Sequence, residues 1–526
     1  MSKVLVSDSV DQAGIDILSQ VAHVDIKTGL SPEELVAIIP DYEGLMIRSG
    51  TRVTQAVIDA GTQLKIIGRA GVGVDNVDVS AATRQGIVVV NSPEGNTIAA
   101  AEHSLAMMLA LSRHIPDANH SVKDSKWERK RFMGVEVYKK VLGVVGLGKI
   151  GSHVASVAKA MGMKLLAYDP FISAERAEQL GCRLVELDVL LREADYITLH
   201  LPKTPETTHL IDAEKLSIMK PTARLVNCSR GGIVDEQALH EALNSGQIGG
   251  AALDVYETEP LGESSLRSHG KELILTPHLG ASTAEAQVNV AVDVAEQIRD
   301  VLLGLPARSA VNIPGLYPDI MDQLRPYLRL AETLGNLVGQ LAGGRVDSLN
   351  IQLQGELASI QSQPVVVAAL KGLLSQALRE RVNYVNASLE AKERGIRVIE
   401  TRNESIRDYT GSLHLEAKGS LGAHSVTGAL LGDSEIRVTS VDEFPINVPP
   451  SPYMLFTLHR DMPGIIGKIG SLLGSFNVNI ASMQVGRKIV RGDAVMVLSL
   501  DDPLPEGLLT EITKVAGIRD AYTVAL

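Results

Sequence analysis

Three polar side chains near the middle of the chain are of the types that oxidation of an alcohol requires. Arg230 lies in Asn-Cys-Ser-Arg-Gly-Gly, Glu259 in Asp-Val-Tyr-Glu-Thr-Glu-Pro, and His278 in Thr-Pro-His-Leu-Gly. A histidine can accept a hydroxyl proton near neutral pH, and a carboxylate on its other ring nitrogen would fix its tautomer and raise its pKa. An arginine can hold a substrate carboxylate through two parallel hydrogen bonds. Spacing alone does not single out these residues, since the chain has 13 histidines.

A glycine motif upstream indicates where a dinucleotide would bind. Gly146, Gly148 and Gly151 follow the apolar run Val-Leu-Gly-Val-Val and open a helix-compatible segment. The first glycine permits a tight turn, the second lets the backbone approach a pyrophosphate, and the third lets helix and strand pack closely. The next apolar run ends at Asp169, which could bind the hydroxyls of the adenosine ribose. Because no arginine follows Asp169 directly, the motif predicts NAD rather than NADP.

Short apolar segments that alternate with helix-length stretches predict two parallel sheets. The candidate strands are residues 4–6, 24–26, 44–47, 66–68 and 88–91 in the first series, and 141–145, 164–168, 196–199, 224–227, 250–254 and 273–275 in the second. Six strands with intervening helices are what a doubly wound dinucleotide-binding fold requires. Helices over 96–113 and 282–304, the second with a capping box that starts at Ser282, would let the chain cross between two lobes and return. The predicted fold class is α/β, with a substrate lobe and an NAD lobe of doubly wound parallel sheet.

The C-terminal part of the chain has a different sequence pattern. A helix over 319–341 is followed by mixed strands and helices to about residue 445, without a dense catalytic motif. The proline-rich run 445–452 predicts a stiff linker that cannot continue a sheet. Beyond it, the predicted elements have the order of a ferredoxin-like βαββαβ unit. The predicted domains are residues 1–96 together with 286–315, residues 97–285, residues 316–446 and residues 452–526.

Composition argues against several classes of function. The formal net charge of −12, from 50 basic and 62 acidic residues, argues against a partner that is a nucleic acid or an anionic membrane. Cys182 and Cys228 have no zinc-site spacing, so neither a disulfide framework nor a metal site is expected, and the expected compartment is the reducing cytoplasm. The N-terminus leads into a strand without a secretory signal, and no apolar run has the length of a membrane span.

Several of these motifs, in this order, resemble the NAD-dependent D-2-hydroxyacid dehydrogenases. The resemblance rests on the three polar residues, the glycine motif and Asp169. Three further runs, Gly-Arg-Ala-Gly-Val-Gly-Val-Asp-Asn-Val-Asp over 68–78, Lys-Trp-Glu-Arg-Lys-Arg-Phe-Met-Gly over 126–134 and Asn-Cys-Ser-Arg-Gly-Gly-Ile-Val-Asp-Glu over 227–236, are similar to the long-form phosphoglycerate dehydrogenases within that family. The resemblance covers about residues 3–315 and returns in the C-terminal unit, which resembles an ACT domain.

The resemblance implies a complete oxidoreductase site. His278 is the implied acid and base, Glu259 is its partner, and Arg230 anchors the substrate carboxylate. The implied cofactor-binding residues are Val72, Gly146, Gly148, Lys149, Ile150, Gly151, Asp169, Leu201, Cys228, Ser229, Arg230, Asp254, His278, Gly280 and Ala281. The candidate substrate-binding residues, among which are the cations for a phosphate, are Arg48, Ser49, Arg69, Gly73, Asn96, Lys130 and Arg131. The family often has Thr or Ser near the position of Val72, so a side-chain hydroxyl contact is not expected there.

The resemblance also implies partners for the chain. In the family, the basic run with Lys130 and Arg131 reaches across a dimer interface, which implies a homodimer or a homotetramer. ACT domains bind amino acids between paired copies, so L-serine is an expected effector. In that unit Asp461 could hold an ammonium group, Gly464 opens a helix N-terminus to an anion, and Asn479 could bridge carboxylate or amine.

The expected activity follows from the family. It is the NAD-dependent oxidation of 3-phospho-D-glycerate to 3-phosphohydroxypyruvate, the first step of L-serine biosynthesis. Two alternatives stay open at this point. The first is another D-2-hydroxyacid dehydrogenase, acting on glycerate, lactate or erythronate phosphate, with the same chemistry and a different anion pocket. The second is a non-catalytic NAD-sensing scaffold like the transcriptional corepressors of this fold, which lack a C-terminal ACT unit.

Overall fold

The computed structural model describes residues 1–313, 318–378, 382–404, 409–432 and 434–526. Its strands form sheets of five, seven, six and four strands. The first two sheets are parallel throughout, the third is mixed, and the fourth is antiparallel. The predicted fold class, two doubly wound parallel lobes followed by a mixed domain and a ferredoxin-like unit, is therefore confirmed.

The first sheet is built from the N-terminal residues and has the strand order β2-β1-β3-β4-β5. Its elements are β1 (Ser2–Val6), α1 (Gln12–Ser19), β2 (Ala22–Ile26), α2 (Pro32–Ile38), β3 (Gly44–Ile47), α3 (Gln55–Ala60), β4 (Ile66–Arg69), α4 (Val79–Arg84) and β5 (Val88–Asn91). Every residue of β3 is buried, as expected for a strand with helices over both faces of its sheet. Arg48 follows β3 and Arg69 ends β4, so both arginines lie at the carboxyl edge, where open α/β sheets bind ligands.

The second sheet has the strand order β12-β11-β10-β9-β6-β7-β8. The elements that lead to it and form it are α5 (Thr97–Arg113), α6 (Ile115–Lys123), β6 (Val141–Val145), α7 (Lys149–Ala160), β7 (Lys164–Tyr168), α8 (Ala174–Gln179), β8 (Cys182–Leu184), α9 (Leu187–Glu193), β9 (Tyr196–Leu199), α10 (Ala213–Ser217), β10 (Arg224–Asn227), α11 (Glu236–Asn244), β11 (Gly250–Leu253) and β12 (Leu273–Leu275). The six predicted strands form, and β8 is an additional edge strand. The strand order reverses between β6 and β9, which is where this class of sheet binds a dinucleotide.

A long helix, α12 (Ala284–Leu302), returns the chain to the first sheet and packs its apolar face into the core of that sheet. Its N-cap is Thr283, whose side chain accepts a hydrogen bond from the Ala286 nitrogen at 3.1 Å. The capping box predicted at Ser282 is therefore wrong by one residue. The loop between β12 and α12 connects the two lobes.

The third sheet is mixed and has the order β14-β13-β15-β16-β17-β18. Its domain contains α13 (Pro318–Ala342), β13 (Val346–Gly355), α14 (Glu356–Ser359), α15 (Gln363–Leu378), α16 (Ala387–Glu393), β14 (Arg397–Asn403), β15 (Gly411–Gly419), β16 (Gly422–Leu431), β17 (Glu435–Val441) and β18 (Phe444–Val448). The linker predicted over 445–452 is wrong in its first half, because residues 445–448 belong to β18. Pro445 is tolerated there because β18 is an edge strand.

The fourth sheet has the order β20-β21-β19-β22. Its elements are β19 (Tyr453–Arg460), α17 (Ile465–Ser475), β20 (Ile480–Arg487), β21 (Asp493–Leu500), α18 (Leu508–Thr513) and β22 (Ile518–Ala525). Phe456, Val495 and Val524 extend from one face of this sheet into the apolar core of the third sheet, and its helices cover the other face. The C-terminal unit and the domain before it thus share a hydrophobic core.

The predicted domain limits stay predictions at the level of single residues. The limit between 315 and 316 lies outside the described residues. Within the described residues, none of the helices combines the length and the apolar character that crossing a lipid bilayer demands.

Candidate active site

His278 and Glu259 form a hydrogen-bonded pair beyond the carboxyl edge of the second sheet. His278 Nδ1 lies 2.6 Å from Glu259 Oε2. Glu259 is itself oriented, because its Oε1 accepts a hydrogen bond from the Tyr256 backbone nitrogen at 3.0 Å. With Nδ1 directed at a carboxylate, Nε2 is left to exchange a proton with a molecule in the cleft.

Glu259 is held in its ionised form. Burial by itself raises the pKa of Glu259, but hydrogen bonds from His278 and from the Tyr256 backbone outweigh burial, so its pKa lies below the ordinary value. An ionised carboxylate can accept the hydrogen bond that an N–H at His278 Nδ1 donates. The pair can therefore take up a proton and release it again, as general acid–base chemistry requires.

Arg230 reaches from the second sheet towards the first. Its Nε donates to Asp75 Oδ2 at 3.2 Å, and its Nη1 donates to the Ser229 carbonyl oxygen at 2.7 Å. A Cβ atom at Gly73 would lie 2.2 Å from Arg230 Nη2, so a side chain at that position would displace the guanidinium. Arg230 therefore lies between the lobes, where it can bind an acid in the cleft.

A cavity of about 500 Å³ joins these groups and is lined by both lobes. Its lining includes the three predicted catalytic residues. It also includes five of the seven predicted substrate-binding residues, namely Arg48, Ser49, Arg69, Gly73 and Asn96. Residues that are far apart in the sequence thus converge on one space of the size that a small phosphorylated acid needs.

Arg69 brings positive charge to this cavity, and at least one of its N–H donors has no partner among the described residues. Among the described residues, none accepts a hydrogen bond from its buried Nε atom. Burial, and next the neighbouring charge of Arg230, lowers the pKa of Arg69 to about 10, so the guanidinium is still protonated at neutral pH. An anion in the cavity would compensate both the desolvation and the repulsion between the arginines.

A second cavity, of about 260 Å³, adjoins the first. Both cavities are lined by Val72, Asn96, Arg230, His278 and Ala281. The other predicted cofactor-binding residues in the lining of the second cavity are Ile150, Leu201, Cys228, Ser229 and Gly280. Burial above all raises the pKa of the Cys228 thiol, to about 12, so the thiol in this wall is neutral. The shared wall allows a flat redox-active ring in one cavity to lie against a small acid in the other.

The glycine motif fits a pyrophosphate. Gly146 has φ of +91°, in the left-handed region that glycine tolerates. A Cβ atom at Gly151 would lie 2.0 Å from the Gly146 carbonyl oxygen, whereas one at Gly148 would meet no atom within 4 Å. The backbone at Gly148 is therefore open to a ligand, and α7 begins immediately after it with free N–H groups that favour an anion.

The two charged residues predicted beside this motif have defined partners. Asp169 accepts hydrogen bonds from the Leu147 and Phe171 backbone nitrogens, each at 2.9 Å, which hold its carboxylate beside the glycine loop. Lys149 pairs with Glu94 across the gap between the lobes. The Asp169 carboxylate is thus fixed beside the glycine loop, and Lys149 links the two lobes.

Asp254, which the resemblance placed near the nicotinamide, is not exposed to the cleft. It is fully buried and lines neither cavity. Its carboxylate accepts hydrogen bonds from the Leu279 nitrogen at 2.7 Å and the Gly280 nitrogen at 2.8 Å. It therefore supports the loop that carries His278 from below.

Lys130 and Arg131 lie outside both cavities. Arg131 pairs with Glu128 at 3.1 Å on the surface. The neighbouring Trp127 and Met133 are 80% and 78% exposed, which is unusual for large apolar side chains unless a partner covers them. The predicted contact of Lys130 and Arg131 involves the cleft of a second copy and stays a prediction.

Some lining residues were not singled out from the sequence. Asp75, Lys203, Tyr256 and Gln287 line the main cavity. The signal for Lys203 was available, because it closely follows β9 at the ligand-binding edge of the sheet. No sequence signal links Asp75 to Arg230, which is 155 positions away.

The ACT-like unit has a cavity of about 330 Å³ at the β19–α17 turn, lined by residues that include Asp461, Gly464 and Arg487. Asp461 Oδ2 accepts hydrogen bonds from Arg487 Nη1 at 2.8 Å and from the Arg491 nitrogen at 3.1 Å. The hydrogen bond from Arg487 is the main reason why the pKa of Asp461 lies below its ordinary value.

Asn479 lies at the opposite end of the same sheet. Its Nδ2 donates to Asp501 Oδ2 at 2.5 Å. The pairing of β20 with β21 aligns Ile480 with Leu500 at this end and Arg487 with Ala494 at the other. The three predicted effector residues therefore do not form one site within a single chain.

Comparisons with known proteins agree with this arrangement. Residues 105–280 match the D-isomer specific 2-hydroxyacid dehydrogenase NAD-binding domain, residues 323–442 the D-3-phosphoglycerate dehydrogenase intervening domain, and residues 453–517 the ACT domain. The chain is 78% identical to a D-3-phosphoglycerate dehydrogenase from Synechocystis sp., over 100% of this chain and 95% of that protein. It is 45% identical to one from Archaeoglobus fulgidus, over 100% of both.

Among solved structures, the chain is similar to the D-lactate dehydrogenase of Aquifex aeolicus in complex with NAD and lactic acid. The identity is 27%, the TM-score is 0.52, and the match covers 57% of this chain and 96% of the other. That match covers little more than half of the chain, whereas the two dehydrogenases named above match it in full.

Proposed function

The chain belongs to the D-3-phosphoglycerate dehydrogenases of the D-2-hydroxyacid dehydrogenase family, and on that premise we propose that it oxidises 3-phospho-D-glycerate to 3-phosphohydroxypyruvate with NAD. The observation that carries the proposal is the convergence of three arginines and a His–Glu pair on one cavity. A hydroxy acid with a carboxylate at one end and a phosphate at the other matches several guanidinium groups around one general base.

His278 accepts the proton of the substrate hydroxyl. Its Nδ1 is directed at Glu259 and the residue lines the cavity, so in the tautomer with hydrogen on Nδ1 its Nε2 has the lone pair that accepts the proton. As the C2–H bond breaks and the carbonyl forms, the hydroxyl proton moves to Nε2. The Glu259 carboxylate stabilises the imidazolium that results, and in the reverse direction His278 returns the proton.

Arg230 binds the substrate carboxylate and polarises the oxygen on C2. Its bond to Asp75 measures 3.2 Å, longer than the roughly 2.7–2.9 Å that is typical of a charge-assisted hydrogen bond. The guanidinium can therefore exchange Asp75 for a substrate carboxylate that it binds through two parallel bonds. Because Asp75 belongs to the other lobe, this exchange also changes how the lobes are linked.

NAD, when bound, accepts the two electrons and the hydrogen that leave C2 of the substrate. Gly146, Gly148 and Gly151 would hold its pyrophosphate, and Asp169 its adenosine ribose. The apolar side chains of Ile150 and Leu201 in the wall of the second cavity would limit the access of water to the redox-active ring.

The substrate phosphate is assigned to Arg48 and Arg69. Both line the main cavity, and Arg69 has a buried donor that no described residue accepts. An unpaired buried donor is costly unless a ligand satisfies it. This cost explains why the cavity would prefer a phosphorylated acid to glycerate or lactate.

The activity is tested by following NADH formation with 3-phosphoglycerate and with unphosphorylated D-glycerate. We expect kcat/KM to be higher for the phosphorylated acid by at least about 100-fold, the effect of a bound, partly buried ion pair. Near-equal efficiency would instead identify a different D-2-hydroxyacid dehydrogenase. Absence of turnover with these acids and with D-lactate and erythronate 4-phosphate would leave the NAD-sensing scaffold.

The assignment extends to an effector and an assembly. We assign L-serine to the ACT domain, between two copies of the chain, because Asp461 and Asn479 lie at opposite ends of one sheet and can meet only across a pair of sheets. We also assign a homodimer or a homotetramer, in which Lys130 and Arg131 reach the partner's cleft. Calorimetry without heat on addition of L-serine, together with unchanged rates at millimolar serine, would refute the effector.

The proposed place of the enzyme is the cytoplasm. Cys182 and Cys228 are both free, which suits a reducing compartment. There the reaction would run as the first step of L-serine biosynthesis, in the direction that the family uses. Fractionation of cells followed by an activity assay tests this assignment.

A further inference from the structure

The loop that carries His278 depends on one buried carboxylate. His278 has φ of +56°, in the left-handed region that a residue with a side chain occupies only when its surroundings hold it there. The next two backbone nitrogens, of Leu279 and Gly280, both donate to Asp254 at 2.7 and 2.8 Å. Asp254 therefore anchors the backbone that immediately follows His278.

Two further side chains, those of Thr276 and His103, contact the Asp254 carboxylate. The Thr276 hydroxyl donates to Asp254 Oδ1 at 2.6 Å. His103 Nε2 lies 3.2 Å from the same oxygen and 3.4 Å from Thr276 Oγ1. Among the described side chains that contact the Asp254 carboxylate directly, His103 is thus the one that belongs to neither β11 and its following loop nor the His278 loop. It lies on α5, which begins at the junction of the two lobes.

The network keeps Asp254 ionised although no solvent reaches it. Burial by itself raises the pKa of Asp254, but hydrogen bonds from His103, Thr276 and the Leu279 nitrogen outweigh burial, so the pKa of Asp254 lies below its ordinary value. Cys228 and Tyr256 also face Asp254. Burial, and next the charge on Asp254, raises the pKa of both groups to about 12, so both are neutral and contribute no positive charge. Glu259, another anion, also acts on Asp254.

We propose that His103 is a positioning residue for the oxidation, which holds the Asp254 carboxylate against α5 and through it keeps His278 aligned with Glu259 and the substrate. His103 touches neither cavity, so it does not act on the reacting atoms. The inference rests on the proposed function, because the alignment of His278 matters only for a proton transfer.

The positioning role of His103 requires only a hydrogen-bond donor at the place of its Nε2 atom. A neutral ring with its hydrogen on Nε2 can donate this hydrogen bond, and so can an imidazolium. Glutamine can bring an amide donor to nearly the same point, whereas leucine fills a similar volume without a donor. The pair His103→Gln and His103→Leu therefore separates donation from packing, and Glu102→Gln, an exposed neighbour on α5, is the matched control.

The experiment is steady-state kinetics with 3-phosphoglycerate and NAD on these variants and on the wild type. For His103→Leu we expect kcat to fall by about 10- to 100-fold, the cost of a misplaced catalytic group, with KM for both substrates within about twofold. The deuterium isotope effect on kcat with C2-deuterated substrate should rise, because hydride transfer has become slower than product release. His103→Gln should recover most of the rate, and Glu102→Gln should match the wild type.

A double-mutant cycle with Asp254→Asn identifies the route. If His103 acts through Asp254, adding His103→Leu to Asp254→Asn should reduce kcat by less than about twofold further, because the two effects are not additive. Fully additive losses, or a His103→Leu enzyme with normal kcat, would overturn the inference while leaving the proposed function intact. An equal loss in the Leu and Gln variants would assign packing instead of donation, and would also overturn it. A wild type without turnover would refute the proposed function itself.

Discussion

The cleft and the ACT domain each contain a hydrogen-bonded carboxylate, and the partner of each carboxylate determines what the pair can do. In the cleft, Glu259 bonds to His278 at 2.6 Å; in the ACT domain, Asp461 bonds to Arg487 at 2.8 Å. Both bonds lower the pKa of the carboxyl group below its ordinary value. Histidine can lose and regain a proton near pH 7, whereas arginine stays charged. The first pair can therefore move a proton, and the second can only present fixed charges to a ligand.

The largest effect is expected from removal of the proton acceptor, His278. His278→Ala should lower kcat with 3-phosphoglycerate by about two to four orders of magnitude, the usual contribution of a general acid–base group. The measurement is the rate of NADH formation, with NADH binding followed by fluorescence to show that the cofactor site is intact. The exposed His23→Ala in β2 is the control. Retained activity in His278→Ala would contradict the role of the pair.

The second test concerns the cations around the pair. Arg69→Gln should raise KM for 3-phosphoglycerate by about 10- to 100-fold, as expected for loss of a partly buried charged contact, and should change KM for D-glycerate far less. The matched control is Arg84→Gln, on the exposed side of α4 in the same lobe. Equal losses for the phosphorylated and the unphosphorylated acid would show that Arg69 does not bind the phosphate.

The third test addresses the pair of Asp461 and Arg487 in the ACT domain. Asp461→Asn should weaken inhibition by L-serine by about 10-fold, the usual effect of losing one charge-assisted hydrogen bond, and should leave kcat without serine unchanged. Asp493→Asn is the control, because Asp493 also pairs with an arginine of the same sheet, Arg519, at 2.7 Å. If both variants respond to serine like the wild type, Asp461 is not part of an effector site.

The smallest expected effect is a pH dependence of stability in the C-terminal half of the chain. The hydrogen bond to Asp442 is the main cause that raises the pKa of His424 above its ordinary value. A raised pKa in the folded state stabilises the fold below the unfolded-state pKa of about 6.5, and this contribution is lost as pH rises through the folded-state pKa. His424→Gln should therefore lower the melting temperature by about 1–3 °C at pH 5.5 and have little effect at pH 9.

Calorimetric scans at the two pH values measure this difference. His23→Gln is the control, since His23 also lies beside a carboxylate, Asp25, but is 63% exposed. A loss of stability for His424→Gln that is equal at both pH values would assign the effect to packing against Tyr522, whose ring lies 5.8 Å away.

Most strands of the two parallel lobes could be predicted because they are buried on both faces and therefore read as apolar runs. The edge strand β2, in which only Ala22 is buried, does not follow this rule. The edge strand β8 was missed because only one of its three residues is buried. In the third domain, β14 is exposed along nearly its whole length, so no apolar pattern marks it. The predicted linker was wrong at its start, Pro445. A proline argues against a central strand, but an edge strand such as β18 accepts one.

By itself, the sequence determined the fold class and the glycine cradle, because these depend on local patterns within a strand, a turn or a short motif. The catalytic trio was identified through the resemblance of several motifs to one family, since spacing alone does not single it out. The tertiary structure alone decided that Arg69 and Arg230, from different lobes, face one cavity, that Asp254 supports the His278 loop from below, and that Asp461 and Asn479 lie at opposite ends of their sheet. The physical reason is that contacts between residues far apart in the sequence depend on strand order and on the packing of whole sheets. The spacing of residues along the chain encodes neither of these.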